Sequence, residues 1–366
     1  MENKNKTALI AMSGGVDSSV TAYLMKEAGF DCMGANMRLY HNEDIGLSIF
    51  KTCCTQSDID DAASVAQRLG MPFEVKDFTS DFKREVIDKF IRTYEEGGTP
   101  NPCIDCNRCL KFRRLMDFAK EKGMEYVATG HYARVEEKDG RFLLRKAKDL
   151  SKDQTYVLYT LTQEELSHVK FPLGEMESKE ETRQLAEKLG LINAHKRESQ
   201  DICFVPDGDY VGFMEKYQGK KYQPGAFLDL HGQTIGQHRG AVHYTLGQRK
   251  GLGLALGEPV YVCAKDMAKN TVTVGPEAAL FHRELIAGDM NWIYLPELKK
   301  PLEVLAKTRY NQKEQPATVY PEANGKIRLA FRDPQRAITP GQAAVLYTAD
   351  GEGYVVVGGT IEKALN

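Results

Sequence analysis

TALIAM at residues 7–12 is a short apolar run followed by SGG, and then by VDSSVTAYLMKEAGF, in which Val16, Val20, Tyr23 and Leu24 recur at helical spacing. Gly29 ends that pattern. DCMGANM (31–37) reads as a second strand. Ser57 reads as the N-cap of an amphipathic helix with Ile59, Ala62, Ala63, Ala66 and Leu69 on its apolar stripe. PFEVKDF (72–78) is a third strand, and Phe82, Val86, Phe90 and Tyr94 line one face of a further helix. EEGGTPNPCIDCN then interrupts the alternation. Prolines at 100 and 102 remove backbone donors there and predict a loop. A basic helix (110–122) and the strand YVATGHY (126–132) follow. Strand–helix alternation predicts an α/β fold: a doubly wound, Rossmann-like parallel sheet covered on both faces, with ligands at the carboxyl ends of its strands.

Ser178 and Glu181 have capping-box spacing ahead of a helix that ends near Gly190. Beyond about residue 205, short runs punctuated by glycine take over. VYVCAKD and TVTVG suggest a hairpin, and LEVLAKTRY, ATVYPE, IRLAFRD and AAVLYTA are separated by turn signals. The expected organisation is a catalytic α/β domain over 1–205, a small middle domain over 206–284 and a C-terminal β-barrel over 285–366.

At 366 residues the chain exceeds one ordinary core, which agrees with that division. No apolar run approaches the roughly 20 residues of a membrane helix, and the N-terminal pattern makes a poor secretion signal. The expectation is a cytoplasmic protein with no membrane association. Its eight cysteines would then be reduced thiols or metal ligands. The formal net charge of −2 says little about partners, but its distribution says more. Residues 106–116 hold Arg108, Lys111, Arg113 and Arg114 with no acid, and 231–257 hold Arg239, Arg249, Lys250 and three histidines with no acid. These stretches are either solvated faces or patches that meet a polyanion.

Two strings carry chemistry. Met12-Ser13-Gly14-Gly15-Val16-Asp17-Ser18-Ser19 joins a predicted strand to a predicted helix. Its glycines allow close backbone approach, the helix start offers N–H groups, and the serines add hydroxyls, all suited to phosphate. Asp17 would repel a bare phosphate and implies a bound magnesium ion. There is no lysine of the GxxxxGK type. NPCIDCNRC (101–109) spaces Cys103, Cys106 and Cys109 evenly, as a zinc site, an iron–sulfur site or a redox pair would. Structural zinc is disfavoured because the adjacent Cys53 and Cys54 make a poor second ligand pair. Cys109 reads as a bystander, and Cys32 and Cys263 as buried strand residues. Arg108, Lys111 and a helix starting near 108 would favour a thiolate at Cys106.

SGGVDSS resembles the loop of the PP-loop ATP pyrophosphatases, a superfamily that includes amidating synthetases and RNA-thiolating enzymes. Together with TPNPCIDCNRCLKF (99–112), ATGHYAR (128–134), SKDQTYVLYTL (151–161), ESQDICF (198–204), YTLGQRKGLG (244–253), KTRY (307–310) and TPGQAAVLY (339–347), it resembles the tRNA-specific 2-thiouridylases. That resemblance implies ATP-dependent adenylation of the C2 oxygen of the wobble uridine in tRNAs for Lys, Glu and Gln. Sulfur then arrives from a cysteine persulfide fed by a donor such as a cysteine desulfurase or relay protein, and AMP and pyrophosphate are released. It implies Cys106 as nucleophile and Cys203 as persulfide carrier. ATP, with Mg²⁺, would meet Ala11, Met12, Ser13, Gly14, Gly15, Val16, Asp17, Ser18, Met37 and Gly130. Asn101, Pro102 and Cys103 would line the target base. Lys152, Asp153, Gln154, Arg309, Tyr310, His131 and Gln342 would meet or position the tRNA.

Many members of that family have aspartate where this chain has Cys103. The third thiol leaves two routes open: a Cys106–Cys203 persulfide relay, or a [4Fe–4S] cluster held by Cys103, Cys106 and Cys203. The wider alternatives are another adenylating ligase of the superfamily acting on a small molecule, and an RNA-binding protein with a structural metal knot.

Overall fold

The structure is a computed structural model that describes residues 6–41, 56–196 and 202–365. It divides into two compact units. One is drawn from Met1–Ile87, Pro102–Gly208 and Glu352–Val355, the other from Asp88–Asn101, Asp209–Gly351 and Val356–Asn366.

The first unit is built on a five-stranded sheet of β1 (Thr7–Ala11), β2 (Asp31–Arg38), β3 (Phe73–Asp77), β4 (Tyr126–Ala128) and β7 (Val169–Lys170). Their order is β3-β2-β1-β4-β7, and every neighbouring pair is parallel. A short hairpin, β5 (Ala133–Lys138) with β6 (Arg141–Lys146), stands apart from it. Leu9 and Ile10 in β1 are fully buried, as the apolar run in TALIAM requires. Helix α1 (Val16–Glu27) packs through Val16, Val20 and Met25 into a core shared with Ala62, Val65 and Ala66 of α2 (Gln56–Arg68). Ser57 lies inside α2 and is not its cap. The chain order reverses between β1 and β4, and this switch point opens the crevice in which ligands of such sheets bind.

NPCIDCNRC is helical, not a loop. An α-turn covers Pro102–Cys106, a π-helical stretch covers Asn107–Arg114, and α-helix resumes over Leu115–Glu121. The reason is positional. Proline breaks a helix interior, but in the first turn its missing N–H is one that would go unused anyway, and its fixed φ suits the helix. The helix therefore begins at Pro102, ahead of both the expected start near 108 and the expected basic helix 110–122. Another π turn, Lys83–Ile87, packs against Pro102–Cys106. Ser178 caps the helix Lys179–Lys188 by accepting from the Glu181 N–H at 3.2 Å. The return bond of a capping box is replaced by one from the Glu177 N–H to Glu181.

The second unit contains a four-stranded sheet and a barrel. The sheet runs β10 (Tyr261–Asp266), β11 (Thr271–Gly275), β8 (Gly225–Leu228), β9 (Thr234–His238), with β10 and β11 forming the expected hairpin. The closed barrel runs β12 (Phe281–Trp292), β15 (Ile327–Arg336), β14 (Gln315–Pro321), β13 (Leu302–Lys307), β16 (Ala343–Thr348), β17 (Val355–Leu365). Leu285, Val304, Val319, Leu329 and Leu346 fill it. Closure removes the exposed edges that an antiparallel sheet would otherwise present. In the same unit the helical segment Asp88–Glu95 packs on Tyr210–Gln218, with Tyr94 and Tyr210 stacked at 4.3 Å.

Candidate active site

The turn after β1 lies at the sheet's switch point, and its shape is set by hydrogen bonds that the sequence does not announce. The Ser13 N–H donates to Ser18 Oγ at 3.2 Å, while the Ser18 and Ser19 hydroxyls donate to the Gly15 carbonyl at 2.9 and 3.1 Å. The Ser13 hydroxyl donates to Ser18 Oγ at 3.4 Å, so all three serine hydroxyls brace the loop. Met12 is fixed by its N–H to Ala35 and by Asn36 Nδ2, which donates to its carbonyl at 2.8 Å. The N–H groups of Gly14, Gly15 and Val16 find no acceptor among the described residues, which leaves a cluster of donors at the start of α1. Gly130, just past β4, touches this turn. A β-carbon there would come within 2.9 Å of Asp17 Cβ and 3.1 Å of the Ser18 nitrogen.

Asp17, whose sequence context implied a magnesium ion, also has partners within the protein. Lys179 Nζ meets its Oδ1 at 2.5 Å, and the Tyr132 hydroxyl donates to the same oxygen at 3.0 Å. Lys179 is almost wholly buried and was invisible as a site residue in the sequence. Its signal was position alone, in the first turn of a helix whose cap was legible.

Cys106 is buried and Cys103 is exposed, within the same helical turn of the same unit. Because that helix begins at Pro102, its N-terminal N–H groups lie beside Cys103 rather than beside Cys106. Asn107 donates through Nδ2 to the Val157 carbonyl at 3.0 Å and ties this helix to the SKDQTYVLYTL segment. Cys203 is half-buried in a turn whose neighbour Phe204 packs edge-on against Phe82, and its carbonyl accepts from the Tyr40 hydroxyl at 2.9 Å. Among the described residues no three His, Cys, Asp or Glu side chains group to hold a metal ion. Cys53 and Cys54 lie outside the described residues. Cys32 is buried in β2, where desolvation raises its thiol pKa to about 11, and Cys263 is half-buried in β10.

Several residues expected to meet tRNA have their side chains turned to the protein. Asp153 accepts from the Ala147 N–H at 3.1 Å and from the Thr155 hydroxyl at 2.6 Å. Gln154 exchanges two hydrogen bonds with the Tyr132 backbone, both of 2.9 Å. His131 is buried against Phe112 and Phe171, and its Nδ1 shares a hydrogen bond with the Thr129 hydroxyl at 2.7 Å. Desolvation, with Lys111 adding to it, holds its pKa well below the ordinary histidine value. Arg309 donates to the Ala337 carbonyl at 3.1 Å and to Thr339 Oγ1 at 2.9 Å. Gln342 donates to the carbonyls of Thr99 and Pro100 at 2.9 and 3.2 Å, and the Thr99 N–H donates to Pro340 at 2.9 Å. In the second unit the TPGQ turn therefore grips the residues that lead into NPCIDC. Tyr310 is exposed, as are Arg108, Arg113, Arg239, Arg249 and Lys250, while Lys152 is half-exposed.

Comparison with known proteins decides among the families that share such a loop. Residues 6–207 match the family model described as tRNA methyl transferase HUP domain, 211–276 the tRNA methyl transferase PRC-barrel domain, and 282–361 the aminomethyltransferase beta-barrel domain. A tRNA-specific 2-thiouridylase MnmA of Clostridium perfringens is 48% identical over 98% of this chain and 99% of its own length. The Clostridioides difficile MnmA is 46% identical over 99% of both, and the Acetivibrio thermocellus MnmA is 46% identical over 97% of this chain and 99% of its own. The chain belongs to the MnmA family. The three matched models follow the parallel sheet, the four-stranded sheet and the barrel in order, so the architecture of an MnmA protein accounts for the whole chain.

Proposed function

We propose that this protein is an ATP-dependent tRNA-uridine 2-sulfurtransferase. The observation behind this reading is that the SGGVDSS turn occupies the β1–β4 switch point, in the unit that also holds Cys106 and Cys203. The N–H groups of Gly14, Gly15 and Val16 bind the phosphates of ATP, and Gly130 keeps the floor of the site flat beneath them. A magnesium ion carried in with the nucleotide finds one protein carboxylate in this loop, Asp17, which suits a cation that draws most of its ligands from phosphate and water. Bound there, it would neutralise phosphate charge; Lys179 does the same for Asp17 before the nucleotide arrives.

In the reaction the uridine C2 oxygen attacks the α-phosphorus, pyrophosphate leaves, and the base becomes O-adenylated. The Cys106 thiolate then attacks the inner sulfur of a Cys203 persulfide. A Cys106–Cys203 disulfide forms and hydrosulfide is released. Hydrosulfide adds to C2, and AMP departs with the original oxygen. A thiol reductant returns both cysteines to their starting state. The exposed arginines of 108–113 and 239–249 meet tRNA phosphates, and the persulfide sulfur comes from a separate donor protein.

The test is 2-thiouridine in tRNA incubated with ATP and a persulfide donor, scored alongside pyrophosphate release. Wild type should form both products. Cys106→Ser and Cys203→Ser should abolish thiolation, with tRNA-dependent pyrophosphate release persisting. Thiolation by both serine variants at the wild-type rate would overturn the relay.

A further inference from the structure

The Gly14 carbonyl accepts two side-chain donors, Asn193 Nδ2 at 3.0 Å and Lys196 Nζ at 3.3 Å. The Asn193 amide also donates to Ser19 Oγ at 2.8 Å, so both of its N–H groups are committed to the phosphate turn. Lys196 is itself held by Asp58 and Asp61 of α2, each at 2.6 Å. Asn193 is 3% exposed, and its Oδ1 has no hydrogen-bond partner. That imbalance is informative. A buried amide oxygen left unsatisfied costs stability, and the residue tolerates it in order to aim its nitrogen at Gly14 and Ser19. Reversing the amide would set its oxygen against the Gly14 carbonyl oxygen, so its orientation is fixed by chemistry.

In a trans peptide the C=O and the following N–H point in opposite directions. A Gly14 carbonyl pulled toward residues 193–196 therefore turns the Gly15 N–H the other way. We infer that Asn193, supported by Lys196, is a positioning residue for nucleotide phosphate: it holds the Gly14–Gly15 peptide in the orientation that presents the Gly15 N–H to the anion. This rests on the ATP-using reading above and names the device that keeps the loop ready before ATP arrives. Neither residue touches the reacting atoms.

Asn193→Asp separates this role from simple packing. The two side chains have nearly the same shape, but aspartate retains only acceptors and repels the Gly14 carbonyl. Binding of ATP and of adenosine is measured by calorimetry on the full-length variant, together with its melting temperature and the KM values for ATP and tRNA. The expected result is an ATP affinity lowered about tenfold or more, adenosine affinity within about twofold of wild type, and a raised KM for ATP with the KM for tRNA unchanged. Lys196→Met supplies the second arm and should shift ATP affinity in the same direction by a smaller factor. ATP affinity unchanged in both folded variants, or ATP and adenosine weakened equally, would overturn the positioning role. A wild-type protein that binds no ATP would instead overturn the nucleotide reading on which it rests.

Discussion

The two glycines of SGGVDSS are not equivalent, and replacing each with alanine should have opposite consequences. Gly14 has φ +77°, and a β-carbon there would lie 2.2 Å from the Asp58 carbonyl oxygen. That neighbour is helix backbone and cannot swing aside. Left-handed backbone costs a non-glycine residue about 1–2 kcal/mol, and forced overpacking typically about 1–3 kcal/mol. Gly14→Ala should thus destabilise its unit by about 2–5 kcal/mol. For a unit of this size that corresponds to a fall in melting temperature of about 4–20 °C. Gly15 has φ −91°, an ordinary extended value, and its added β-carbon would meet only Ser13 Oγ at 3.5 Å. Gly15→Ala should leave stability within about 0.5 kcal/mol of wild type. Its new methyl group stands beside the N–H assigned to phosphate, so ATP affinity should fall while the fold is kept. Thermal unfolding without nucleotide, followed by ATP titration of each soluble variant, reads both effects. Equal melting temperatures for the two variants would refute the packing argument. Wild-type ATP affinity in Gly15→Ala would refute the approach of phosphate at that peptide.

Gln342→Ala removes two hydrogen bonds to Thr99 and Pro100. It should speed amide exchange over residues 98–101 and lower the thiolation rate several-fold, with tRNA affinity changing less than twofold; a tenfold loss of tRNA affinity with unchanged exchange would restore Gln342 to a direct RNA contact. The depressed pKa of His131 makes stability depend on pH. The unfolded state takes up a proton near pH 6.5 that the folded state resists, so this residue's contribution is intact above that pH and declines as pH falls below it. Denaturant unfolding between pH 5 and 7.5 should show that decline, and a His131→Phe variant that kept the same slope would exclude His131 as its source.

Periodicity along the chain was enough to locate β1, β2, β3, α1 and the barrel strands β13 to β16, because each buries a face whose spacing is local; β12 and β17 were not marked by it. It was also enough for SGGVDSS, since glycine, serine and a strand–helix junction are properties of adjacent residues. Pro102 shows where local reading stops. Proline marks a break in most contexts, and only its position in the first turn, supported by packing of Pro102–Cys106 against Lys83–Ile87, turns NPCIDC into helix. Lys179, Asn193 and Lys196 lie more than 160 residues from the loop atoms they hold, and a lone lysine or asparagine has no spacing that announces such a role. The same limit applies to Arg309 and Gln342. Their identities fit an RNA surface, and only the fold reveals that their donors are directed to the backbone of their own unit. What the sequence determined by itself was the order of elements and the chemical types at the site, both encoded within short windows. The direction in which each polar side chain points was decided by tertiary structure, because a buried carbonyl takes whatever donor the fold brings within reach.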